Sequence, residues 1–171
     1  GRPPVRVGPS IIDQGSGMWC VIGILSALLE RSRTGQGCRV DTSLFETGLS
    51  WMTVPVANAL ASGREPGKSG SETPMLAPYR AFGASDRPVV IAAGNNNLFR
   101  RLTETMGHPE WAEDSRFLTN AERVANREEL NALIEAVVCT RPSDYWMTAL
   151  DKVGVPCAPV HQVSEVLAHP Q

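Results

Sequence analysis

From Met18 to Leu29 the chain is interrupted only by Gly23 and Ser26, and the run is entered through Gly15-Ser16-Gly17. A helix over about 15–33 with this composition has no polar face, and such helices are covered on most sides. It therefore requires a larger body around it than the rest of the sequence supplies. Glu30-Arg31-Ser32-Arg33 followed by Gly35 and Gly37 ends it, with cations near the negative pole of the helix and glycines that tolerate a left-handed backbone. The run is shorter than the roughly 20 apolar residues that cross a bilayer, so the expectation is a core helix of a soluble protein, with no membrane partner.

The remaining punctuation divides the chain. The first ten residues read as an extended segment entering a turn, Arg39 to Thr42 reads as a short strand, and Phe45, Leu49, Met52, Val56 and Leu60 mark a helix from about 44 to 61, kinked at Pro55. Ser62 to Pro78 shifts to Gly, Ser, Pro and charge, the composition of a domain boundary. Beyond it, 79–83 and 88–93 read as paired strands about an Asp86-Arg87 turn. Asn95 to Asn97 caps a helix to Met106, and His108-Pro109 stops it. Further helices are expected at 126–138 and 143–152, an extended segment at 155–160 and a last helix from Val163. The pattern gives a helical part over 1–62, a linker over 63–78 and a small α+β domain over 79–171.

A formal net charge of -2 gives no electrostatic reason to expect nucleic acid or an anionic surface as partner. Cys20, Cys38, Cys139 and Cys157 are widely spaced, with no zinc-ligand interval, which predicts a reduced cytoplasmic setting and no metal. The opening Gly1-Arg2-Pro3-Pro4, without methionine, reads as the interior of a longer polypeptide.

On the residues alone, Asp13 reads first as an N-cap accepting hydrogen bonds from the first turn. Its second reading is a nucleophile or general base, on a glycine-rich entrance where a ligand can approach the backbone. Glu46 reads as exposed or capping, His161 as a helix-entry residue, and His108 and His169, each before proline, as loop residues.

Several blocks taken together resemble the class III CoA-transferases, the group that includes formyl-CoA transferase, carnitine CoA-transferase and α-methylacyl-CoA racemase. They are Val5 to Met18, Ile22 to Arg31, Thr34-Gly35-Gln36-Gly37, Asp41 to Glu46, Val155 to Val160 and Ser164 to Leu167, in the family's order. The resemblance implies the α/β fold class, with 1–62 as the end of a large domain. It implies that Asp13 is the catalytic carboxylate, which attacks an acyl-CoA thioester and passes through an anhydride and an aspartyl-CoA thioester. It also implies coenzyme A or acyl-CoA as substrate with no permanently bound cofactor, a carboxylic acid acceptor, and an interlocked homodimer. A glycine-rich lid would fall on Gly67, Ser69, Gly70 and Ser71, although this segment has two glycines and no continuous run; a plain linker fits it equally. Arg64 and Lys68 read as CoA-phosphate contacts or as solvated linker charges. Most of the CoA site would lie upstream of Gly1, leaving the fragment alone inactive. The alternatives are an acyl-CoA racemase using Asp13 for α-proton exchange, and a non-catalytic interaction or oligomerisation module.

Overall fold

The computed structural model describes residues 5–170, in two compact units, 1–67 and 68–171. The first unit is helical: α1 (Ile11–Thr34), α2 (Leu44–Trp51) and α3 (Thr53–Ser62). α1 begins at Ile11 rather than Gly15, so Asp13 stands inside the first turn and is not the cap. Ser10 holds the cap position without a side-chain bond to the helix. The earlier start follows from Ile12, which is half-buried and packs beside α2, where a Cβ on Gly48 would lie 3.6 Å from its Cδ1. Gly35, at φ 72°, closes α1 by donating its N–H to Arg31 O.

Three further expectations are corrected here. At 24 residues, or about 36 Å, α1 is long and apolar enough to cross a membrane by length and composition. The apolar run is extended at its head by Ile11 and Ile12, which the shorter estimate left out. A spanning helix and a core helix share these properties, but Gly15 and Gly23 lie against α2 and Val40, as a helix packed on protein does. Arg39 to Thr42 forms no strand, because no other segment pairs with it among the described residues. The single expected helix over 44–61 is two, broken at Met52. Pro55 supplies no N–H for the Trp51 carbonyl four residues back, and its ring crowds that carbonyl.

The second unit is a three-stranded antiparallel sheet, β1 (Tyr79–Gly83), β2 (Pro88–Ala92) and β3 (Cys157–Pro159), in the order β1-β2-β3. Helices α4 (Asn96–Thr105), α5 (Asn120–Ala125), α6 (Arg127–Val138) and α7 (Ser143–Lys152) belong to the same unit, and α8 (Val163–Leu167) ends it. Alternation along the strands buries Phe82, Val89 and Ile91, which share a core with Phe99, Leu102, Leu130, Ile134, Trp146 and Leu150. Asn95 caps α4 by accepting from Leu98 N, and α5 opens on a reciprocal Thr119–Glu122 capping box. The hairpin turn reaches the start of α7, where Asp86 accepts from both Ser143 N and Ser143 Oγ at 2.7 Å.

One side chain ties this core together. Arg123 of α5 is fully buried and donates to Ala77 O, Phe117 O, Gly94 O and Asn96 Oδ1 at 2.8–3.1 Å, with its guanidinium 4.6 Å from the Phe99 ring centre. No carboxylate pairs with it among the described residues, and burial lowers its pKa from the ordinary arginine value.

The interiors of the two units differ greatly. Among the described residues of the first, only Gly15 and Thr47 are buried, while Met18, Leu25, Leu29, Phe45 and Leu60 are each more than 60% exposed.

Candidate active site

α1 and α2 meet at Gly15. A Cβ there would lie 2.6 Å from Trp51 Cζ2 and 3.0 Å from Thr47 Cγ2, so only glycine permits this approach. Thr47 Oγ1 donates to Ser43 O and lies 2.9 Å from Ser16 Oγ, which fixes the contact further. Eight residues on, Gly23 admits Val40 in the same way, its would-be Cβ 2.6 Å from Val40 Cγ1. These contacts hold the first four turns of α1 on one side and leave the other side open among the described residues.

Asp13 is on the open side. It is exposed, and its carboxylate has neither a hydrogen bond nor an ion pair among the described residues. Its place in the first turn sets the carboxylate beside the positive pole of the helix. Gly17 follows one turn later on the same face, and a Cβ on it would meet nothing within 4 Å. Asp13 thus presents an exposed carboxylate on α1 beside a bare stretch of backbone, where an incoming group can approach it. A shallow cleft of about 220 Å³, between Trp19 and the Asp41, Ser43 and Glu46 side of α2, does not include Asp13.

Gly67 ends the first unit, and Ser69, Gly70 and Ser71 begin the second. Gly70 takes φ 61°, a left-handed turn closed by Glu72 N donating to Ser69 O, and Ser71 Oγ accepts from Ala81 N. The segment is tied down at Glu72, which sequence reading passed over because nothing local marks it. Its carboxylate receives Arg80 Nη1 at 3.2 Å, Arg127 Nη1 at 3.1 Å and Asn131 Nδ2 at 2.9 Å. Gly67 to Ser71 is thus a short turn with one end fixed to β1 and α6.

Glu46 closes the cap of α2, accepting from Ser43 Oγ at 2.8 Å, while Ser43 Oγ accepts from Glu46 N. His161 lies 3.6 Å from Glu165 at the entrance to α8, and His108 stacks on Trp111 with ring centres 4.3 Å apart. No cluster of three or more His, Cys, Asp or Glu suited to a metal ion exists among the described residues, and the four cysteines are free.

The sequence model of CoA-transferase family III matches residues 1–171. Similar proteins include an acetyl-CoA:oxalate CoA-transferase of Acetobacter aceti, 38% identical over 99% of this chain and 44% of that protein. A mouse succinyl-CoA:glutarate CoA-transferase is 31% identical, over 98% of this chain and 38% of its own. Among solved structures, a CAIB/BAIF family protein from Brucella suis superposes with a TM-score of 0.79 at 39% identity, over 99% of this chain and 45% of that one. A Mycobacterium tuberculosis protein in an orthorhombic crystal form gives 0.86 at 23% identity, over 98% of this chain and 44% of that one, a likeness of fold alone. A mixed α/β chain with this match along its whole length belongs to CoA-transferase family III. It spans less than half the length of the relatives it matches.

Proposed function

We propose that the polypeptide containing this chain transfers coenzyme A from an acyl-CoA to a carboxylic acid, with Asp13 as nucleophile. The observation that carries the reading is the Asp13 carboxylate, exposed and unengaged in the first turn of α1, in a chain matched throughout by the family.

A carboxylate oxygen of Asp13 adds to the thioester carbonyl, and the C–S bond breaks to release CoA thiolate and leave an acyl-aspartyl anhydride. The thiolate attacks the aspartyl carbonyl, releasing the first carboxylate and forming an aspartyl-CoA thioester. The acceptor carboxylate then displaces the thiolate, and the thiolate attacks the acceptor's acyl carbonyl, freeing Asp13. Each step needs an anionic oxygen nucleophile and protection of the anhydride from water. The Gly67, Ser69, Gly70 and Ser71 turn is the segment suited to that protection, with Glu72 as its fixed end. The relatives named for oxalate and glutarate point to a small dicarboxylic acid as acceptor. A cytoplasmic homodimer is the expected form. Residues 1–171 alone, without the larger part of the family's chain, catalyse no transfer.

The test uses the full-length enzyme with succinyl-CoA or acetyl-CoA and oxalate or glutarate. Asp13→Asn and Asp13→Ala both abolish transfer while acyl-CoA affinity stays within about tenfold. Hydroxylamine added during turnover converts the aspartyl thioester to a hydroxamate on Asp13 and releases CoA. Wild-type-like transfer by Asp13→Asn refutes the assignment. Exchange of the α-hydrogen with solvent deuterium, with Asp13 unmodified, identifies a racemase instead.

A further inference from the structure

Two glycines flank Ser16, and only one has a packing reason within its unit. Gly15 is required because Trp51 and Thr47 occupy the space a Cβ would take. Gly17 has a helical backbone, is exposed, and would place a Cβ within 4 Å of nothing. Glycine is the weakest helix former after proline, so within this unit its presence at 17 weakens α1 and gains no contact.

The position explains the choice. Residue 17 is four after Asp13 and so lies on the same face, one turn above it. Helical side chains lean toward the N-terminus, so the surface a side chain at 17 would cover is the turn that carries Asp13. For attack, a thioester carbonyl carbon must come within about 3–3.5 Å of an Asp13 oxygen. We infer that Gly17 is a substrate-access residue. Its missing side chain leaves open the face of α1 on which the acyl group of the incoming thioester lies as Asp13 attacks it. The inference rests on the proposed role of Asp13.

The experiment uses the full-length enzyme with Gly17→Ala and Gly17→Val, and measures single-turnover formation of the hydroxylamine-trapped adduct on Asp13 together with the thermal midpoint. Alanine, a better helix former with room for its methyl, is expected to hold or raise the midpoint while slowing adduct formation. Valine is expected to slow it on the order of 100-fold, the effect of displacing a reacting group by about 1 Å. Adduct formation at the unsubstituted rate in both variants overturns the inference while leaving the Asp13 assignment intact. A lowered midpoint in Gly17→Ala also overturns it, because Gly17 is then a packing glycine covered by another part of the polypeptide. Failure to find any adduct on Asp13 in the unsubstituted enzyme overturns the assignment, and this inference with it.

Discussion

Replacing Arg123 by methionine removes a guanidinium that makes four hydrogen bonds of 2.8–3.1 Å inside the second unit. Bonds from a charged donor contribute roughly 1.5 kcal/mol or more each, so about 6 kcal/mol of interaction is lost and the carbonyls of Ala77, Phe117 and Gly94 are left buried. Against this, the variant no longer buries a cation without a counter-ion, which recovers several kcal/mol, roughly 3. The net expected cost is about 3 kcal/mol. For a unit of about 100 residues that lowers the midpoint by on the order of 12 °C or more. Arg123→Lys should cost at least as much, since an ammonium keeps the burial penalty, is more strongly hydrated, and cannot reach acceptors spread around a planar fork. Urea unfolding followed through the fluorescence of buried Trp146 measures both variants, with an unchanged slope as the check that compactness is preserved. A methionine variant within about 1 kcal/mol of the parent, or a neutral lysine variant, would refute the reasoning.

Gly15→Ala should destabilise the first unit by about 1–3 kcal/mol, because its methyl would sit 2.6 Å from the Trp51 ring; circular dichroism melts compared with Gly17→Ala separate packing from propensity. Asp114 is held down to about 2, chiefly by its side-chain hydrogen bond from Arg116 and then by Arg116 N. Because its folded value is depressed, its stabilisation is complete above the ordinary carboxylate value near 3.8 and fades as pH falls toward 2, which carbon-detected NMR titration would follow. Asp86 behaves in the same direction through Ser143 Oγ and Ser143 N, and Asp86→Asn should flatten the acid side of the stability profile.

Local signals in the sequence specify local structure well. Asn95 and the Asp86-Arg87 turn each act within a few residues, and α4 and the hairpin stand where those signals put them. Interactions that depend on distant neighbours were not legible. Nothing in the sequence singles out Arg123, because its acceptors are chiefly backbone carbonyls from three separate segments that no residue identity announces. Thr119-x-x-Glu122 is a readable capping box, yet α5 is six residues long and has no apolar period to draw attention to it. Asp13 was misplaced by one role: Ile11 and Ile12 begin the helix early, so the residue that resembles a cap stands inside the first turn. Gly15 and Gly17 look alike in the sequence and part company only when the position of Trp51 is known.

Among the described residues of the first unit only Gly15 and Thr47 are buried, so α1 takes little stability from its own unit. Helices in proteins draw most of their stability from tertiary packing rather than propensity, and burial confined to these two residues supplies little of it. Any surface that covers the exposed side of α1 would therefore stabilise it by mass action. Removing such a surface would loosen the helix that carries Asp13 while leaving the core of the second unit intact. Amide exchange in α1 should accelerate under such conditions while the amides of β2 and α6 stay protected.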